Sequence, residues 1–247
     1  MTEKDVIQLP VRLDIIEKTM RNVVLKYDNT KKTEMYDRTP VELLDNLYMG
    51  DIAKNALLAY LIDQGVTGII DYDEVRTDAF KNPDPGWDFI VGSRKLKVEV
   101  KSSIPPNQES VSNIIKYRDI KITACHDKGN PLWIMPLDQE SYIHVQVYFY
   151  AQPYTRGYDT FESLSSVINQ DWHKVGSIIN ANKYNAPLFF GWNTKLEIER
   201  YTHHDIHSGT WTFDWTKRVY WKCPIKNAYN LEQLVRYCKT RANAQVD

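Results

Sequence analysis

Two carboxylates and a lysine lie close together in the first half of the sequence: Asp88, Glu99 and Lys101. Glu99 and Lys101 alternate with valines, and alternate residues of a strand share one face. Two carboxylates about 5–8 Å apart on neighbouring strands can share a hard cation such as Mg²⁺, which prefers oxygen ligands. Such a cation polarises a phosphoryl oxygen and acidifies a bound water, while a nearby ammonium group stabilises developing charge. These residue types therefore indicate metal-dependent phosphodiester hydrolysis.

A β-hairpin is expected to position these three residues. The apolar run at 89–91 and the alternating run at 96–101 predict two strands joined by a tight turn at 92–94. Because successive side chains of a strand point to opposite faces, the polar residues share one face and the apolar residues form the other. The apolar face is predicted to contain Phe89, Val91, Leu96, Val98 and Val100.

Two registers of the hairpin are compatible with the sequence. A two-residue loop at 92–93 is favoured, because glycine suits the first position of a type II′ turn. In that register Asp88 faces Lys97 and lies diagonal to Glu99. A loop at 93–94 would instead place Asp88 directly opposite Glu99. Either register keeps the three polar residues on one face.

The three residues resemble the pattern of the PD-(D/E)XK nucleases. In that family an acidic residue at a strand start is followed, after a variable gap, by Glu-x-Lys on the next strand. Asp88, Glu99 and Lys101 match all three positions, and the match covers about twenty residues. Asp84 is an alternative first aspartate. Asp88 is preferred because prolines on both sides of Asp84 place it in a turn, whereas Asp88 leads directly into an apolar strand.

The resemblance implies a Mg²⁺ ion held at Asp88, Glu99 and Val100, with Lys101 as the catalytic lysine. Members of the family often carry a further acidic residue after a glycine, on a helix before the hairpin. Asp51 follows Gly50 and occupies that place, although aspartate replaces the more usual glutamate. A helix-capping role for Asp51 is an equal alternative to a catalytic one.

Helices are predicted on both sides of this glycine and at the N-terminus. Thr39 and Glu42 have the spacing of a capping box, so a helix is expected to begin there and to bend or break at Gly50. Apolar periodicity continues over 51–64, and Gly65 is expected to end the helix. Residues 12–27 form an earlier amphipathic helix, whose stripe is interpreted as core or as a dimer contact. That stripe consists of Ile16, Met20, Val23, Val24 and Tyr27.

The remaining elements predict an α/β fold with a mixed central β-sheet flanked by helices. Further strands are expected at 114–124, 142–150, 187–192 and 211–221, and a terminal helix at 231–241. We divide the single predicted nuclease domain, 1–247, into an N-terminal helix with its polar connection, a catalytic core, a helical and loop insertion, and a final segment of strands and helix. These parts are 1–38, 39–151, 152–185 and 186–247.

Two segments are candidates for contacting DNA bases. Asn107 and Gln108 lie on the loop that leaves the Glu-x-Lys strand, and Tyr154, Arg156 and Tyr158 lie at the start of the predicted insertion. Arginine, asparagine and glutamine side chains read base edges in the major groove. The alternative is that both segments are ordinary solvated turns.

Composition constrains the function less than the motif does. The net charge of −1 is not typical of a protein that binds nucleic acid over its whole surface, but a basic cleft remains compatible with it. Three cysteines without a Cys-x-x-Cys pair argue against a disulfide framework or a cysteine zinc site. Three histidines at 203–207 are interpreted mainly as a polar turn, with zinc binding or phosphate contact as alternatives. No apolar segment is long enough to span a membrane, so a cytoplasmic protein is expected.

We therefore expect a Mg²⁺-dependent endonuclease that cuts double-stranded DNA, most like a type II restriction enzyme. A homodimer is expected if the target is a palindrome. Within the same chemistry, a DNA repair nuclease or a junction resolvase is an alternative. From a different class, the chain could be a non-catalytic DNA-binding protein whose acidic and basic residues are only surface charges.

Overall fold

The computed structural model describes residues 1–29, 39–82, 85–93, 95–125, 142–151, 173–202, 209–213 and 218–243. The helices in these ranges are α1 (Leu13–Asn29), α2 (Pro40–Asp63), α3 (Tyr72–Val75), α4 (Val111–Tyr117), α5 (His173–Ile179), α6 (Glu197–Thr202) and α7 (Leu231–Asn243). The strands are β1 (Ile7–Gln8), β2 (Ile69–Asp71), β3 (Phe89–Val91), β4 (Leu96–Ser103), β5 (Ile122–Cys125), β6 (Tyr142–Tyr148), β7 (Leu188–Thr194), β8 (Thr210–Thr212) and β9 (Val219–Trp221).

The strands form one large mixed sheet and one small sheet. The large sheet has the order β1-β7-β6-β4-β3-β2, in which β4 and β6 are parallel and the other neighbours antiparallel. The small sheet has the order β5-β9-β8. This is an α/β protein with a six-stranded, curled mixed sheet packed against helices, as the sequence predicts at that level. No helix in the described ranges combines the length and apolar character that crossing a membrane requires.

The large sheet is covered on both faces, and each face has its own apolar core. α2 packs against β4, α7 packs against β3 and β7, and α1 lies on α2. The second core joins Tyr148 and Phe190 of the large sheet to α4 and the small sheet. Alternation along β6 explains this division, because Ile143 and Val145 enter the first core while Tyr148 enters the second.

The capping box that begins α2 is present as predicted. Thr39 accepts a hydrogen bond from the Glu42 backbone N–H, and the Glu42 side chain accepts one from the backbone N–H of Thr39. α2 continues unbroken to Asp63, so the helix does not break at Gly50. A glycine inside a helix costs only about 1 kcal/mol, which burial of the flanking turns offsets. Gly65, with φ +77°, follows the helix end as predicted.

The apolar stripe of α1 belongs to the core. Met20, Val23 and Tyr27 are buried, and Ile16 and Val24 pack against the same cluster. Of the two interpretations offered by the sequence, core packing is therefore the one observed, and the stripe does not provide a dimer surface.

One predicted strand is partly a helix. Residues 111–117 form α4, which begins after Ser110, whose hydroxyl accepts a hydrogen bond from the Asn113 backbone N–H. Only the end of the segment predicted as a strand over 114–124 becomes β5. The serine cap favours a helix where apolar and β-branched residues suggested a strand.

The β3–β4 hairpin has the less favoured of the two predicted registers. Phe89 pairs with Val98 and Val91 with Leu96, and the backbone N–H of Lys95 donates to the Gly92 carbonyl at 3.0 Å. Continuing this register places Asp88 opposite Glu99. The glycine at 92 has another role than opening a type II′ turn: a Cβ there would lie 2.5 Å from the Cα of Ala242 in α7.

This close approach yields a stability prediction. Gly92→Ala is expected to lower the free energy of unfolding by about 2–4 kcal/mol, because the new methyl group collides with backbone and the residue has φ +69°. Gly50→Ala is the matched control, since a Cβ at Gly50 meets nothing within 4 Å, and it should stabilise α2 by about 0.5–1 kcal/mol. Urea unfolding of both variants tests the pair. Equal effects of the two substitutions would contradict the packing described here.

Candidate active site

Asp88, Glu99 and Lys101 lie on the polar face of the hairpin, as predicted. The opposite face of the hairpin, from Phe89 to Val100, is buried in the first core. Lys101 forms an ion pair with Oε1 of Glu99. The other carboxylate oxygen of Glu99, Oε2, lies 2.7 Å from Nδ1 of His144 on the neighbouring strand β6. Glu99 is therefore fixed between two basic groups.

The pKa values of the two carboxyl groups are shifted in opposite directions. Although burial opposes ionisation of Glu99, the charges of Lys101 and His144 hold its pKa well below the usual range. Burial raises the pKa of Asp88 to about 7, against the opposing effects of a hydrogen bond from Val100 and the charge of Lys54. Neighbouring carboxyl groups with such different pKa values are common where a site performs chemistry.

Asp88 is anchored by the backbone of the neighbouring strand, β4. Its own N–H donates to the Val98 carbonyl at 2.8 Å, and its Oδ2 accepts a hydrogen bond of 2.6 Å from the Val100 N–H. Among the residues that the structure describes, no lysine, arginine or histidine lies within ion-pair distance of Asp88. Its ionised form is therefore oriented by hydrogen bonding but lacks a direct countercharge.

His144 and Gln146, on the same face of β6, were not predicted as site residues. Glu99 pairs with His144 and Lys101 with Gln146 in the parallel register, and both β6 side chains are buried. The amide of Gln146 donates to the Lys101 carbonyl at 3.2 Å, and its oxygen accepts from the Lys121 N–H at 3.2 Å. Gln146 thus joins β4 to the segment entering the small sheet.

A sequence signal for these two residues was available. His144 and Gln146 are two positions apart in an otherwise apolar strand, so they must share a face and interrupt it with polar groups. Buried polar side chains need partners, and such a pair predicts another polar surface nearby.

Asp51 lies in a buried network of lysines and carboxylates at the adjacent edge of the sheet. Lys26 Nζ contacts Asp51 Oδ1 and Asp73 Oδ2, each at 2.7 Å. The remaining Asp51 oxygen is buried and accepts no hydrogen bond from any residue in the described ranges. Because α2 is continuous at this point, the helix-capping interpretation of Asp51 is wrong.

Lys54 is the centre of that network. It is 2% exposed and contacts Asp71 Oδ1 at 3.0 Å as well as Asp73 Oδ2. Its charge acts on both Asp51 and Asp88, so the network borders the hairpin site. The hairpin and α3 are also joined directly, since the Tyr72 N–H donates to the Asp88 carbonyl at 3.0 Å.

No match was found when the chain was compared with models of protein families, with curated proteins and with solved structures. Any functional conclusion therefore rests on the geometry of the site.

Two of the five residues predicted to contact DNA bases lie in the part of the chain that the structure describes. Asn107 and Gln108 lie in an exposed 3-10 turn after β4, and both have left-handed backbone conformations. The other three, Tyr154, Arg156 and Tyr158, lie outside the described residues, as do Asp84 and the histidines at 203–207. In the predicted insertion, the described part includes α5, whose Val175 and Ile179 are buried in the first core.

The donor chemistry of the site fits a Mg²⁺ ion. Within the described ranges, no group of three or more histidine, cysteine, aspartate or glutamate side chains is arranged to hold a metal. Mg²⁺ usually binds through one or two carboxylates and keeps several waters, so Asp88 and Glu99 are sufficient as a protein donor set. A divalent cation would also supply the countercharge that Asp88 lacks.

Proposed function

We propose that this chain is a Mg²⁺-dependent endonuclease that hydrolyses phosphodiester bonds of double-stranded DNA, most like a type II restriction enzyme. The supporting observation is the shared face of Asp88, Glu99 and Lys101, on which Glu99 is clamped and Asp88 is oriented without a countercharge. The helix before the hairpin and the aspartate at the start of β3 agree with the PD-(D/E)XK pattern that the sequence resembles.

Each residue has a distinct part in this proposal. Asp88 and Glu99 would hold the ion, with Val100 as the third metal position expected from the resemblance. The ion would polarise the scissile phosphate and acidify a bound water. Lys101, next to Glu99, would orient the attacking water or stabilise charge as it develops. His144 fixes the Glu99 carboxylate, so we assign it a positioning role.

The charge around the site is consistent with a phosphate-rich substrate. Three further lysines lie near Glu99 and Lys101: Lys97, Lys121 and Lys195. In the described ranges, no carboxylate lies within ion-pair distance of these three lysines. Burial, together with the charges of Lys101 and Arg118, lowers the pKa of Lys121 to about 8. A chain with a net charge of −1 thus concentrates basic groups at one place, as nucleic-acid binding requires.

Digestion of a supercoiled plasmid with and without Mg²⁺ tests the proposal. Discrete fragments with defined ends are expected, and chelation by EDTA should stop the reaction. Glu99→Gln protein purified in the same way excludes a contaminating nuclease. Cutting confined to branched or damaged DNA would point to a resolvase or repair nuclease of the same chemistry. Binding of DNA without cutting any substrate would overturn the nuclease proposal in favour of a DNA-binding protein.

A palindromic site would imply a homodimer as the active form. Two-fold protein symmetry then matches two-fold site symmetry and places one active centre on each strand. The contact surface would have to lie elsewhere than the apolar stripe of α1, which is occupied by the core.

A further inference from the structure

A tyrosine with two lysines adjoins the catalytic carboxylates on the same face of the sheet. Tyr142 pairs with Lys97 in the parallel β4–β6 register, two residues before the pair of Glu99 and His144 along both strands. Lys195 follows β7 directly, and its backbone N–H donates to the Tyr142 carbonyl at 3.0 Å. Three strands of the large sheet therefore bring these residues together.

The two ammonium groups are placed by the aromatic ring of Tyr142. Lys195 Nζ lies 3.8 Å from the ring centroid and Lys97 Nζ lies 5.9 Å from it. A lysine over an aromatic face is held by the ring quadrupole without losing its charge. The same ring stacks on His144 with centroids 5.2 Å apart, which connects the lysines to the residue that clamps Glu99.

Among the described residues, these two lysines have no acidic partner within ion-pair distance. In the described part of the chain, no carboxylate lies within 4 Å of either Nζ, whereas Lys18, Lys26 and Lys54 all contact aspartates. Both side chains are half-buried. Burial lowers the pKa of Lys195, with Glu99 opposing this effect and Lys97 and Lys101 adding to it. Positive charge held together against such repulsion favours an anion.

We propose that Lys97 and Lys195, positioned by Tyr142, bind one phosphate of the DNA strand, the phosphate next to the one cleaved at Glu99 and Lys101. This inference rests on the proposed nuclease function. Two residues along a strand span about 6.6 Å, which is of the order of the separation between neighbouring phosphates. The backbone of the cut strand would therefore run along the polar face of β4, from Lys97 towards Lys101.

The test is the salt dependence of DNA binding by the full chain. Binding of a duplex oligonucleotide is measured in EDTA over a series of KCl concentrations, for wild type and for Lys97→Ala/Lys195→Ala. One lost phosphate contact should reduce the slope of log K against log salt by about 0.9 and weaken binding roughly tenfold at 0.1 M salt. Lys195→Arg, which keeps the charge, should retain most of the slope.

Lys116→Ala is the matched control. Lys116 lies on the exposed face of α4 with its Nζ 4.9 Å from the Tyr117 ring centroid, so the same kind of contact is removed away from the site. Its slope should equal that of wild type. An unchanged slope for the double variant would overturn the subsite, and a reduction near 2 would overturn the sharing of a single phosphate. If Lys116→Ala reduces the slope as much as the double variant does, the subsite is also overturned.

Cleavage kinetics separate this inference from the function on which it rests. A neighbouring phosphate is bound equally in ground and transition states, so the double variant should need more protein for half-maximal cutting, and this increase should exceed any fall in the rate at saturation. If wild type cuts no DNA, the nuclease proposal fails, while the salt slopes still decide whether this phosphate site exists.

Discussion

Asp88→Asn and Glu99→Gln are each expected to reduce Mg²⁺-dependent cleavage by about 10³-fold or more. Both substitutions remove a negative charge with little change of shape, and groups that act together in one centre fail together. Their effects on stability should differ. Asp88→Asn removes a buried charge that has no direct countercharge and should leave the melting temperature unchanged or raised, whereas Glu99→Gln breaks contacts with Lys101 and His144 and should lower it.

Single-turnover cleavage and thermal unfolding measured on the same preparations check this result. Lys101→Met is a useful companion, because it should lose cleavage while keeping most of the affinity for DNA, one charge among many phosphate contacts. If Asp88→Asn cuts at a rate near that of wild type, the assignment of the hairpin as the active site is wrong.

Lys54→Met is expected to cause a large loss of stability, about 3 kcal/mol in the free energy of unfolding. The substitution leaves Asp71 and Asp73 buried with one fewer positive partner, and removing one member of a buried ion pair costs about 3–5 kcal/mol. Lys26 and Lys18 still contact these aspartates, so the lower part of that range is expected.

Lys18→Met provides the comparison for this network. The side chain of Lys18 is 32% exposed and bridges Asp71 and Glu74, so solvent screens its contacts and its removal should cost about 1 kcal/mol or less. Urea unfolding of both variants gives the two values. A loss below 1 kcal/mol for Lys54→Met would show that the buried network contributes little to stability.

Local signals in the sequence predicted the elements that carry the site. The Thr39 capping box, the glycine after α2 and the alternation at 96–101 each depend on residues close together in the chain, and each is observed. The turn favoured by the sequence is not the one observed. Asp88, Glu99 and Lys101 still share one face, because both registers preserve the two-residue period. At the turn, Gly92 lies against Ala242, and hairpin propensities do not include such a contact.

The parts that were missed depend on contacts distant in sequence. His144 meets Glu99 only because β6 runs parallel to β4. The polar residues at 144 and 146 mark a polar face on β6, but no local pattern identifies the strand with which that face pairs. Lys54 was missed for a related reason, since a lysine in a helix usually faces solvent, while α2 is buried on nearly all sides. Only the tertiary packing places Asp71 and Asp73 against it.

The parallel pairing of β4 with β6 also determines when the candidate site can assemble during synthesis. The β3–β4 hairpin is local in sequence and can form early, but the contact of Glu99 with His144 must wait until the crossover and residues 142–148 have left the ribosome. Until then β4 presents an open edge on an apolar hairpin, a surface that favours association with other chains. In a newly made polypeptide, the strand that completes the candidate site is therefore also the strand that covers that edge.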